Sequence, residues 1–554
     1  SITLIRRRGL EKKTIIALVL FFLVFWLSNQ FLWKNRTPET TETVVESREV
    51  SEPVVESELE LSDPEISTTA GENEGLLTRA DIAISDEIVL ENDLMALVFT
   101  NRGGLLRSAL LKEHKHYDKV NPVNLIPAGE LLLGLEIETA EDLLFPDELV
   151  FNWEKTTKDG HQILTFYLES EGMRVIEKIY IINEDYALYK ELSISGIGNV
   201  RSYKIGFNSG ITDTEEKVRH KESDYRFIGQ IQNSRTNIQL RRMNEREIIR
   251  GNVDWAAIRS KYFIMALIPE QRLMTDNVNV YSHNDSPAFE LTIDPGRAVR
   301  DIYDRYEIYL GPLDYQNLQR YGIGLEETIE MGWKIIRPLS RLFLWVLTNL
   351  NRVFGNYGVT IIFFALLLKI ILYPLTHKSY SSTHKMQKVQ PYMQEIQRKY
   401  KSDPKQMQTE LQKLYKEHGV NPLGGCFPLL LQMPVFLSLY PVLRYSIELR
   451  QASFVFWLSD LSEPDPFMIL PILMGLFMFL QQRMMMPKRV NKEEMDEKQL
   501  AQMQSQKMMM YIMPVFLVFI FRSLPAGLVL YWTVFNIFSI IQQYFIMQKF
   551  KQQT

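Results

Sequence analysis

At 554 residues the chain is too long for one compact core and has room for roughly three to four domain-sized units. Apolar residues make up 46% and charged residues 23%, but the apolar ones gather in a few unbroken runs with the charge between them, which excludes an ordinary soluble protein. The net charge of -5 averages an acidic stretch near the start and basic stretches later, and a single cysteine, Cys426, excludes any intramolecular disulfide.

The first apolar run, residues 14–33, has the roughly 20-residue length of a membrane crossing and follows Arg6, Arg7, Arg8, Lys12 and Lys13. It reads as an uncleaved anchor (1–34) with a cytoplasmic N-terminus, since it is longer than a signal core and ends without a small-residue cleavage site. Residues 35–80 are rich in Glu, Thr, Ser, Val and Pro with almost no aromatics, so they form an acidic disordered linker.

From residue 81 to about 320 the pattern turns to short β-rich runs, such as 175–182 and the alternation at Leu192, Ser193, Ile194 and Ser195. Turn signals stand at 101–104, 158–160 and 183–185, and an all-β sandwich follows. Its histidines (His114, His116, His161, His220 and His283) lack metal-ligand spacing, and packing accounts for them.

Residues 321–356 carry a helical stripe (Ile329, Trp333, Ile336, Leu339, Phe343, Leu347) with charges between. They read as an interfacial amphipathic helix, and a helix packed under the β domain is the competing assignment. Further apolar runs at about 357–376, 427–447, 466–482, 508–524 and 526–547 bring the expected spans to six. Lys and Arg concentrate in the loops after the second and fourth spans, which makes those loops and both termini cytoplasmic. The first of these loops, 378–419, reads as a helical hairpin: Met386, Val389, Met393 and Ile396 form one seam, and Asp403 and Pro404 start the second helix.

Lys369 lies inside the second apolar run, where a charge costs on the order of 3 kcal/mol at the helix centre. Two readings stand: it faces a polar interior, or it snorkels to the surface. In the last run Trp532, Asn536, Ser539 and Gln543 fall on one helical face, and Gln432 adds an amide to the third span. Interhelical hydrogen bonding is the ordinary role for Ser539 and Gln543.

Three stretches are distinctive: Asn-Pro-Leu-Gly-Gly-Cys-Phe-Pro-Leu-Leu-Leu-Gln-Met-Pro-Val-Phe at 421–436, Asp-Pro-Phe-Met-Ile-Leu-Pro-Ile-Leu-Met-Gly at 465–475, and Leu-Pro-Ala-Gly-Leu-Val-Leu-Tyr at 524–531. Together they resemble the YidC/Oxa/Alb membrane protein insertase family. The Thr-Asn-Arg-Gly-Gly stretch at 100–104, in a β-rich domain after an anchor, resembles its Gram-negative YidC type.

The resemblance implies an α+β membrane protein of the bacterial inner membrane. Its five-helix insertase core (357–548) surrounds a hydrophilic groove open to cytoplasm and lipid, and a periplasmic β-supersandwich completes it. It implies a non-enzymatic role, insertion and folding of nascent membrane proteins, alone or with the Sec translocon. The translating ribosome and the lipid bilayer are further partners, and no nucleic-acid sequence is read. Groove positions implied are Lys369, Gln432, Phe436, Trp532 and Asn536, with Tyr380, Met386 and Met393 in the hairpin contacting ribosome or client. Lys369 and Ala365 depart from the family, which usually has arginine and often threonine there, so the groove keeps its charge but not a bidentate fork. The C-terminal tail, 549–554, is short and offers little for a ribosome-binding extension.

No cofactor is expected, since the chain has no glycine-rich phosphate loop. A secondary transporter is a second class, but the internal duplication such folds show is missing from the sequence. A sugar-binding or enzymatic outer domain is a third, weakened by the scattered histidines.

Overall fold

The computed structural model describes residues 86–216, 220–243, 246–270, 275–420, 427–485 and 497–552. The expected anchor and acidic linker, the Gly-Gly-Cys stretch and much of the second basic loop lie outside the described residues.

The β domain holds sheets of nine, six and four strands among the described residues. Period-two patterning explains them. In Ala187–Ile194 the side chains of Leu188, Lys190, Leu192 and Ile194 are buried while their neighbours turn outward. That strand pairs antiparallel with Met173–Ile182 on one side and Ile302–Pro312 on the other, inside the nine-stranded sheet. Phe227 and Phe289, 5.4 Å apart, join the nine- and six-stranded sheets, and Phe99 against Tyr180 at 4.6 Å joins the four-stranded sheet.

The Thr-Asn-Arg-Gly-Gly turn has a structural task here. Gly103 and Gly104 adopt positive φ, 70° and 60°, and a Cβ on Gly103 would fall 2.8 Å from the Asp147 backbone. Their carbonyls accept hydrogen bonds from the buried Lys178 ammonium (2.6 Å) and the Tyr180 hydroxyl (3.0 Å).

After the short helix Tyr315–Gln319, seven longer ones follow among the described residues: α1 (Arg337–Phe354), α2 (Tyr357–Lys399), α3 (Pro404–Glu417), α4 (Phe427–Tyr445), α5 (Ile469–Met484), α6 (Glu497–Phe521) and α7 (Ala526–Gln552). The amphipathic helix begins at Arg337, later than its apolar stripe suggests, because Gly332 takes a left-handed φ of 82° and Pro338 stands in the first turn. Its Phe343 and Leu347 are buried, whereas Trp345 is 61% exposed.

Gly355 closes α1 and Asn356 caps α2, its side chain accepting the Val359 N–H at 3.1 Å. At 43 residues α2 is about 65 Å long, twice a hydrocarbon core, so the second span and the first hairpin arm are one helix. Asp403 caps α3 with Pro404 in its first turn, and Val389, Leu414 and Val420 close the hairpin seam.

Among the described residues two helices, α2 and α7, are long and apolar enough to cross a membrane, and α5 and Met510–Phe521 are shorter apolar helices. Apolar side chains face outward along this bundle: Ile370 on α2 is 62% exposed and Phe545 on α7 is 64% exposed. Polar ones turn in. That inversion of a soluble protein's pattern suits a surrounding hydrocarbon.

Candidate functional site

α2 and α7 pack side by side, and their shared face carries the polar groups. Lys369 is buried and donates to the Ser539 hydroxyl at 2.8 Å; its Nζ also lies 4.6 Å from the Phe535 ring centre and 5.7 Å from that of Tyr380. No carboxylate pairs with Lys369 among the described residues. Two turns further along α2 and one further along α7, Thr376 and Gln542 exchange hydrogen bonds of 3.0 and 3.2 Å.

Above this layer Gln432 of α4 donates to the Tyr531 hydroxyl of α7 at 3.1 Å. Phe436, Trp532 and Phe521 form an aromatic wall, with Trp532 meeting Phe436 edge-on at 5.4 Å and Phe521 at 5.3 Å. Asn536 is buried with its amide nitrogen unpartnered among the described residues, and so are both polar atoms of Gln543. Burying such groups without partners costs free energy, and Asn536 and Gln543, seven residues apart, carry that cost on one face of α7.

Lys369, Gln432, Phe436, Trp532 and Asn536 thus all lie on facing sides of α2, α4 and α7. Tyr380, assigned to the hairpin from sequence, instead turns back toward Lys369 and is buried. Met386 and Met393 pack inside the hairpin seam. Thr376 and Gln542 escaped the sequence reading. The signal for Thr376 was its place seven residues beyond Lys369 on the same helical face.

Where the β domain meets the outer ends of the helices, the charges are paired. The buried Arg450 bonds Glu215 at 2.6 Å and the Lys115 carbonyl at 2.7 Å, and the Glu215 side chain is only 10% exposed. Arg444 and the Tyr445 hydroxyl both reach Asp224, at 3.1 and 3.2 Å, and Lys261 meets Glu463 at 3.2 Å.

A family model described as the 60Kd inner membrane protein matches residues 349–553, and one described as the YidC periplasmic domain matches 87–346. The membrane protein insertase YidC of Chlorobaculum parvum is 31% identical, covering 96% of this chain and 93% of that protein. That of Syntrophus aciditrophicus is 32% identical, covering 97% of this chain and 99% of its own. A solved structure of an active YidC insertase with its first transmembrane domain resolved aligns with 84% of this chain and 93% of its own at 18% identity, with a TM-score of 0.36.

Proposed function

This chain belongs to the YidC family of membrane protein insertases, and on that premise we propose that it moves hydrophobic segments of nascent proteins from the cytoplasm into the inner membrane. The observation that carries the reading is the polar face of α2 and α7, centred on a buried lysine without a carboxylate partner among the described residues and enclosed by helices whose outward side chains are apolar. A client's short hydrophilic tail crosses along that face while its apolar segment slides past α4 and α7 into lipid.

Lys369 attracts acidic residues of the tail. In a medium of low effective dielectric an ion pair offsets part of the cost of drawing a carboxylate inward. Burial of about 20 apolar residues then makes the transfer downhill without nucleotide hydrolysis. The aromatic wall of Phe436, Phe521 and Trp532 gives the sliding segment an apolar surface beside the polar one.

In this reading six helices span the membrane, both termini are cytoplasmic and the β domain is periplasmic. The exposed tryptophans Trp333 and Trp345 of the segment around α1 lie at the outer headgroup boundary. The hairpin α2–α3, with its basic outer faces, serves arriving clients and the translating ribosome, and the Sec translocon is a partner for larger clients.

Reconstitution tests this. The purified protein in vesicles free of other proteins should insert a small single-span client, scored by protease protection, with neither nucleotide nor solute gradient present. A strict need for nucleotide or a gradient would overturn the proposal.

A further inference from the structure

The polar face continues past Lys369 to a small recess at the end where α7, α5 and the middle of α2 converge. Tyr380, Gln387, Met484, Met485, Gln543 and Met547 line it. Gln387 closes one side by donating to the Met485 carbonyl. Gln543, only 4% exposed, has neither its amide nitrogen nor its amide oxygen partnered among the described residues. Its neighbour Gln542, equally buried, is satisfied by Thr376. The contrast is informative, because α7 folds with the same residue type at consecutive positions and completes the bonding of only one.

A leucine or methionine at 543 would fill this space without leaving an amide unbonded, so keeping glutamine costs the resting protein stability. Thr383 and His384 of α2 also border the recess, and what Gln543 itself offers there is one donor and one acceptor on a neutral, planar group, between flexible thioethers. That set complements a peptide group, which presents an N–H and a C=O whatever its side chain. It does not suit an anion, which Lys369 serves better, and methionine walls suit varied apolar neighbours.

We propose that Gln543 hydrogen-bonds the main chain of the client's extended segment at the entrance of the polar face, so that it grips the polypeptide without reading its sequence. The proposal rests on the insertase reading and gives it a division of labour. Lys369 discriminates by tail charge. Gln543 acts on every tail alike.

The test compares Gln543→Leu and Gln543→Met with the wild-type protein in the vesicle assay, using three single-span clients whose tails are acidic, neutral and basic. Both variants should insert all three more slowly by a similar factor of about two to ten, the loss of one hydrogen bond. Their unfolding midpoints in detergent should hold or rise, because an unmet amide has been removed. Wild-type rates in both variants would overturn the proposal, and so would slowing confined to one tail charge or a lower midpoint in both. The two levels separate cleanly: if Lys369 variants respond to tail charge while Gln543 variants insert normally, the main-chain grip fails and the insertase reading stands. If no protein inserts any client, the reading beneath it fails as well.

Discussion

The junction between the β domain and the helices treats buried charge in one way, and the face between α2 and α7 treats it in another. At the junction the buried Arg450 meets Glu215 and the half-buried Arg444 meets Asp224, so both of these cations find a carboxylate supplied by a distant part of the chain. At the groove Lys369 finds a hydroxyl and two ring faces. Paired charges hold two units in one arrangement and have little left to offer a third party. In the proposed function a cation met only by weak acceptors is left open to an incoming carboxylate. Within the β domain Lys178, pushed below its ordinary range by burial, is pulled back by Asp147 at 3.5 Å, whereas the equally buried Lys190 donates to the Leu133 carbonyl at 3.3 Å.

The comparison breaks most visibly at Arg450. Arg450→Met leaves Glu215 buried without its partner and should lower the stability of the detergent-solubilised protein by about 3–5 kcal/mol, while Arg450→Met with Glu215→Leu should recover most of it. Equal losses in single and double variants would mean that the arginine acts through packing alone.

Acid sharpens the same point. Burial, with Arg450 nearby, holds the His114 imidazolium down to a pKa of about 4 against an ordinary 6.5. The unfolded chain therefore binds more protons than the folded one between those values. Stability present above pH 6.5 is lost as pH falls toward 4, by at most about 1.4 kcal/mol per pH unit. Denaturant unfolding of wild type and His114→Phe across this window should show a shallower pH slope in the variant.

In the groove, Thr376→Val should cost only about 1 kcal/mol, since it removes one hydroxyl from a single exchanged pair with Gln542 and leaves the rest of the layer standing. The smallest effect is kinetic. The hairpin's seam rests on few residues, Val389, Leu414 and Val420 with their flanking methionines, so its amides should exchange hydrogen faster than those of α7. Equal protection in both would make the hairpin a fixed linker.

Much of this was legible because it is local. The alternation in Ala187–Ile194, the Asp403 cap and the stripe through Asn536 and Ser539 are each written within a dozen residues, at a period that one element imposes. The late start of α1 was not, since a left-handed glycine overrides an apolar stripe that runs through it. Nor was the continuity of α2, whose apolar run ends near 376 and whose basic hairpin arm begins at 378, yet both lie inside one helix that passes through Pro374 and Pro391. The junction was invisible, because Asp224 and Arg444 stand 220 residues apart and nothing near either names the other. Tyr380 was different: it stands eleven residues beyond Lys369 on the same face of α2, so the helical period already placed it beside the lysine once the helix was known to run on past 376.

The central claim is that the charge of Lys369, more than its shape, serves clients. Client insertion in cells depleted of the native protein, with the membrane level of each variant checked, tests it directly. Lys369→Arg should sustain insertion, Lys369→Ala should impair single-span clients with acidic tails most, and Lys369→Glu should be worse by adding repulsion. Insertion at the wild-type level by both Lys369→Ala and Lys369→Glu would contradict the claim and leave the lysine as a buried residue with no part in transfer.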